Sequence, residues 1–152
     1  MTDERATDRV ALRRLIDAYA SAVDGADPDA CAALFTPEGV LCRANDPGER
    51  FTRRGRDEIA TAMRGLSRYE STSHRLGNQQ ITFGDDDRAH GVTACEAHHI
   101  SAEGDGTRTD KVMTIRYRDT YRRNGSGGWL IEERCLFVER EEIRDQRGTE
   151  SQ

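Results

Sequence analysis

Thr114-Ile115-Arg116-Tyr117-Arg118-Asp119-Thr120-Tyr121-Arg122-Arg123 changes character at almost every step. Thr114, Arg116, Arg118 and Thr120 fall on one side of an extended chain and Ile115, Tyr117, Asp119 and Tyr121 on the other, because strand side chains point to alternate faces. A period of two predicts a long strand with one solvated face and one turned to a pocket or core. Asp119 is the odd member of the inner set. It is expected to pair across strands with an arginine, Arg134 being a candidate, with a catalytic role as the alternative.

Upstream, Ala89, Gly91, Thr93, Cys95, Ala97 and His99 share one small or apolar face, and His90, Glu96 and His98 share the other. His99 is therefore expected to face the interior, although a bulge would swap it for His98. Turn signals at Gly84-Asp85-Asp86-Asp87, Glu103-Gly104-Asp105-Gly106 and Asn124-Gly125-Ser126-Gly127-Gly128 separate long strand candidates between Thr72 and Arg140. Shorter strands are expected at Val40–Arg43 and Phe51–Arg54, around an Asn-Asp-Pro-Gly turn.

Helical texture precedes the strands. Leu12, Leu15, Ile16, Tyr19, Ala22 and Val23 repeat at three-and-four spacing over Thr7–Asp24, with Gly25 expected to cap the end. Asp27-Pro28-Asp29 starts a short helix carrying Cys31, Leu34 and Phe35 inward, which Thr36-Pro37 stops. Ile59, Met63 and Leu66 mark a third helix after Gly55. Helices followed by consecutive strands predict an α+β domain, since parallel neighbours would need a helix between each pair. The domain is expected over residues 1–140. The polar tail, 141–152, has Ile143 as its one apolar residue and is expected to be disordered or extended on the surface.

Composition removes several function classes. Net charge is −5, and its 23 basic and 28 acidic residues are interleaved, so no basic stripe offers itself to nucleic acid. No apolar run approaches the roughly 18 residues of a membrane span, and the N-terminus lacks a signal-peptide pattern, so a cytoplasmic protein without membrane contact is expected. The four cysteines, at 31, 42, 95 and 135, form no Cys-x-x-Cys pair. They are expected to be reduced core residues.

The ordered set of Tyr19 and Asp24, Leu34-Phe35-Thr36-Pro37-Glu38-Gly39-Val40, Gly55-Arg56-Asp57-Glu58-Ile59, His74-Arg75-Leu76-Gly77-Asn78 and Gly128-Trp129-Leu130-Ile131 resembles the SnoaL-like branch of the nuclear transport factor 2-like superfamily. The likeness covers about residues 8–140. It implies a cone: a strongly curved mixed or antiparallel sheet packed on three N-terminal helices around one pocket. Superfamily members include polyketide cyclases, ketosteroid isomerases, scytalone and bile-acid dehydratases, epoxide hydrolases and binding modules, so fold does not fix chemistry.

By that resemblance, Asp24 and His74 match the aspartate and histidine of the dehydratases, in which a helix-end aspartate orients a strand histidine. Tyr19 matches the tyrosine that bile-acid dehydratases carry before the aspartate. Where scytalone dehydratase has two tyrosines and an asparagine, this chain has Val23, Arg43 and Tyr117. The catalytic set is thus read as Asp24, His74, His99 and Tyr19, and the substrate-binding set as Tyr117, Asp119, His98 and Arg43.

These residues suit proton transfer. His74 could take a proton beside a carbonyl, Asp24 hold its tautomer, a tyrosine donate to the forming enolate, and His99 protonate a departing hydroxyl. No dinucleotide or phosphate-loop fingerprint is present, and neither cofactor nor metal is expected, because Glu96, His98 and His99 alternate between faces. The leading reading is a cofactor-free lyase (dehydratase) or isomerase/cyclase acting on a hydroxy-carbonyl, polyketide-like or steroid-like molecule. The alternative is a non-catalytic binding or dimerisation module, and an epoxide hydrolase comes third. By resemblance a homo-oligomer, dimer or higher, is expected through the outer sheet face.

Overall fold

The computed structural model describes residues 2–45, 49–85 and 87–146. Helix α1 (Thr2–Asp24) buries Leu12, Leu15, Ile16, Tyr19 and Val23 on the expected stripe. At its end the amide of Ala26 donates to the Val23 carbonyl at 3.1 Å and that of Asp27 to the Ala22 carbonyl at 2.9 Å. The left-handed residue in this turn is Ala26 (φ 52°), one position after the Gly25 expected to close the helix. Helix α2 (Pro28–Ala33) begins at once. Asp27 accepts from the amide of Ala30 at 3.1 Å, and Pro28 occupies a position where its missing N–H leaves no bond unmade. Phe35, expected on this helix, opens the first strand instead.

The remaining elements are β1 (Phe35–Asn45), β2 (Glu49–Arg54), α3 (Arg56–Arg64), a 3₁₀ turn (Gly65–Arg68), β3 (Ser71–Phe83), β4 (Arg88–Ala102), β5 (Arg108–Arg123) and β6 (Trp129–Gln146). They build one open six-stranded sheet, ordered β2-β1-β6-β5-β4-β3. Every neighbouring pair is antiparallel except β1 with β6. The turn expected between β1 and β2 lies largely outside the described residues.

Register carries the inner face across the strands. Leu76 opposes Cys95 and Cys95 opposes Ile115, while Thr93 opposes Tyr117. Leu76, Cys95, Ile115 and Tyr117 pack with Leu12, Ile16 and Tyr19 of α1 in the main core. Register shifts between Leu76 and Gln79 on β3, and at two places where β5 meets β6, insert extra residues that bend the sheet around the helices. At the β3 bulge Arg13 donates to the Gly77 carbonyl at 2.7 Å and ties the bend to α1. Gly91 leaves room for the Tyr121 ring, whose hydroxyl would lie 2.6 Å from any added Cβ.

Residues 141–146 are extended on the surface, one of the two forms expected of the tail, because β6 runs on to Gln146, with Lys111 opposite Ile143 and Arg108 opposite Gln146. Their polarity is that of an exposed strand end whose main-chain bonds β5 satisfies, not of an unstructured segment. One expectation is corrected here: the four cysteines are not all reduced. Cys42 and Cys135 face each other directly across the parallel β1–β6 pair and form a disulfide, whereas Cys31 and Cys95 are free and buried. The pair is 93 residues apart in sequence, so no local spacing announces it. It forms a small second cluster with Val40, while the next residue along, Leu41, joins the main core.

Candidate active site

Asp24 ends α1 where the helix meets the start of β3. Three donors of β3 converge on its carboxylate. His74 Nδ1 lies 2.7 Å from Oδ1, the His74 backbone amide donates to Oδ2 at 2.8 Å, and Thr72 Oγ1 donates to Oδ1 at 3.0 Å. A carboxylate can only accept, so Nδ1 carries the proton in this pair and the Nε2 lone pair points away from Asp24. The imidazole is nearly buried, its side chain 8% exposed, and its carboxylate partner is 28% exposed.

His99 enters from β4, directly across from Thr72. Its ring centre stands 5.5 Å from that of His74 and 4.5 Å from that of Tyr69. It is buried, and neither ring nitrogen has a hydrogen-bond partner. Burial above all, then the electrostatic influence of neighbouring His74 and Lys111, pushes its pKa down to about 4. The ring is therefore neutral at ordinary pH, with one unused donor and one unused acceptor.

A cavity of about 430 Å³ opens between the end of α1, the 3₁₀ turn and the start of β3. Val23, Asp24, Met63, Leu66, Tyr69 and Thr72 line it. Asp24, Thr72 and Tyr69 thus belong both to the cavity wall and to the contacts around the two histidines. The mix of apolar walls with a few convergent polar groups is that of a small-molecule site.

The other expected site residues lie elsewhere. His98 turns to the outer sheet face, where Nδ1 is 2.7 Å from Asp110 and Nε2 is 2.7 Å from Glu96. That corrects its assignment to the pocket: β4 runs without a bulge through this stretch, so alternation holds. Tyr19 and Tyr117 both lie against Arg134, whose guanidinium carbon is 4.3 Å and 3.9 Å from their ring centres, and the two rings meet edge to face with centres 6.0 Å apart. Neither tyrosine is among the cavity's lining residues; His74 and His99 are not either, but each touches one that is, Asp24 and Tyr69 respectively.

Asp119 makes the expected pair with Arg134, bidentate at 2.8 and 2.9 Å and fully buried. It also accepts from the Tyr121 hydroxyl at 2.7 Å. Burial opposes the charge of Arg134, yet Asp119 outweighs it and holds the guanidinium's pKa raised. Arg43, on β1, is not among the residues that line the cavity; it lies 4.0 Å from Glu141. Sequence reasoning missed Thr72 and Tyr69. Thr72 could have been found, since it shares the parity of His74 on the same strand, whereas Tyr69 sits on an irregular segment with no periodicity to read.

The model of the SnoaL-like domain matches residues 4–135, most of the chain. The chain belongs to the SnoaL-like domain family. Among curated protein sequences none matches this SnoaL-like chain. Solved structures do. A candidate scytalone dehydratase from Novosphingobium aromaticivorans superposes with a TM-score of 0.82 at 24% identity, over 100% of this chain and 99% of that one. The LinA-type3 hexachlorocyclohexane dehydrochlorinase of Novosphingobium barchaimii gives 0.76 at 15% identity, over 97% and 96% of the two chains. ActVI-ORFA of Streptomyces coelicolor gives 0.71 at 16%, over 86% and 96%. The fold is nuclear transport factor 2-like, as in an NTF2-like protein of Novosphingobium aromaticivorans that superposes with a TM-score of 0.68 at 25% identity, over 90% of this chain and 84% of that one. Among the described residues no helix is long and apolar enough to cross a membrane.

Proposed function

We propose that the protein is a cofactor-free lyase or isomerase that moves a proton on a hydroxy-carbonyl, polyketide-like or steroid-like small molecule. The observation that carries this reading is the double hold of Asp24 on His74, through the ring at 2.7 Å and through the main chain at 2.8 Å. An imidazole fixed in orientation and tautomer is a base whose free nitrogen has one direction in which to act.

A C–H bond made acidic by a neighbouring carbonyl gives its proton to His74 Nε2, and Asp24 stabilises the imidazolium. The electron pair moves into the enolate, whose oxygen accepts a hydrogen bond from the unpartnered N–H of His99. In a dehydration the β C–O bond then breaks, the pair leaves on oxygen, and that oxygen takes the proton from the imidazolium and departs as water. In an isomerisation the proton returns to another carbon instead. Among structures of the same fold, a candidate dehydratase and a dehydrochlorinase are named for eliminations, which supports the first course. The fold alone does not decide it.

The test is turnover of hydroxy-ketones found to raise the melting temperature, with and without His74→Ala. Loss of turnover with retained binding is expected. Full activity in that variant would leave the non-catalytic ligand-binding reading.

A further inference from the structure

Lys111 is the direct cross-strand partner of His99 on the inner face of the sheet. It therefore stands beside the buried imidazole that has no partner at either nitrogen. Its ammonium lies 3.5 Å from one oxygen of Glu141, and the other oxygen of Glu141 lies 4.0 Å from the Arg43 guanidinium. Both contacts are longer than the roughly 2.7–2.9 Å of a charge-assisted hydrogen bond. One exposed carboxylate on the end of β6 is thus shared loosely by two cations. Nε of Arg43 is buried and has no partner at all. Lys111 is half-buried and the Arg43 side chain reaches solvent, so two cations sharing one carboxylate leave room for a second anion to join them.

We infer that the molecule acted on here carries a carboxylate, and that Lys111, backed by Arg43, determines specificity by receiving that carboxylate next to His99. The inference rests on the reading of Asp24, His74 and His99 as the reacting centre, and places the anionic end of the substrate one strand further along the same face. Lys111 suits the role as a compact charge on a flexible stem, and Glu141 as a placeholder that an incoming carboxylate displaces.

Calorimetric titration of the intact protein with acetyl-hydroxybenzoates, each as carboxylate and as matching primary amide, tests this. The carboxylates are expected to bind about tenfold tighter than their amides in the wild type. Lys111→Met should bring the two within about twofold, and Lys111→Arg should keep part of the preference. Glu141→Gln should tighten carboxylate binding about threefold, a gain that misfolding cannot produce. In turnover, Lys111→Met should raise KM while leaving kcat nearly unchanged, because the contact is made equally in ground and transition states. Equal binding of carboxylates and amides in the wild type, no binding of any carboxylate up to about 10 mM, or an undiminished preference in Lys111→Met would overturn the inference. A carboxylate preference without His74-dependent turnover would instead remove the catalytic reading and leave this one standing.

Discussion

His98 and His99 share a peptide bond yet face opposite sides of β4 in opposite electrostatic settings. His98 is held between the carboxylates of Glu96 and Asp110 at 2.7 Å each, and those hydrogen bonds, that from Glu96 first, raise its pKa. His99 is buried without a partner, and its pKa is pushed down to about 4. One histidine thereby has its cationic form favoured on the outer face, and the other is a neutral group inside.

The pair predicts two opposed limbs in the pH dependence of stability. His99 has a folded pKa below its unfolded value of about 6.5, so the unfolded chain binds more protons as pH falls. Its contribution is present above about pH 6.5 and is lost between there and about pH 4, a loss on the order of 3 kcal/mol. Asp24, His74, Arg68 and Lys111 are the titratable and charged groups that bear on it. The His98 contribution has the other sign: present below about pH 6.5 and lost as pH rises through its raised folded pKa. Urea denaturation across this range should show His99→Asn flattening the acid limb and His98→Asn the alkaline one. Unchanged limbs would contradict the assignment.

The contact of Asp24 with His74 predicts that Asp24→Asn keeps the fold but lowers turnover by about 10² to 10⁴, since the tautomer is no longer enforced. His74→Ala should cost at least as much, and the double variant little more than His74→Ala alone. Thr72→Val removes one of three hydrogen bonds to Asp24 and should cost less, about three- to tenfold. Additive losses in the double variant would break the unit.

Reduction of the Cys42–Cys135 bond opens a loop spanning a separation of 93 residues and should cost about 4 kcal/mol through the entropy of the unfolded chain. Scanning calorimetry with and without reductant should show a melting temperature lower by about 10 °C. Cys135→Ala should reproduce the shift and then be insensitive to reductant. Cys31→Ala should not, because burial pushes that free thiol's pKa up to about 12 and keeps it inert.

Asp119→Ala leaves Arg134 charged and fully buried against Tyr19 and Tyr117. The expected loss is about 3 to 5 kcal/mol of stability, measured by denaturant unfolding. A catalytic role for Asp119 would show the reverse pattern, with stability retained and turnover lost.

Features that depend on the local period of side chains were legible in the sequence. Three-and-four spacing located the buried stripe of α1, and alternation put His99 inside, His98 outside and Asp119 on the face where it meets Arg134. These follow from the geometry of one strand or one helix, which the chain specifies residue by residue. Asp24 beside His74 was expected from family resemblance rather than from any such period. Other relationships belong to register between distant segments. The parallel pairing of β1 with β6 joins Cys42 to Cys135, the continuation of β6 past Arg140 puts Glu141 opposite Met113 and within reach of Lys111, and the irregular stretch before β3 delivers Tyr69 to His99. Which residues of two strands stand opposite is set by turns, bulges and the burial of whole faces together, so only the assembled sheet decides it.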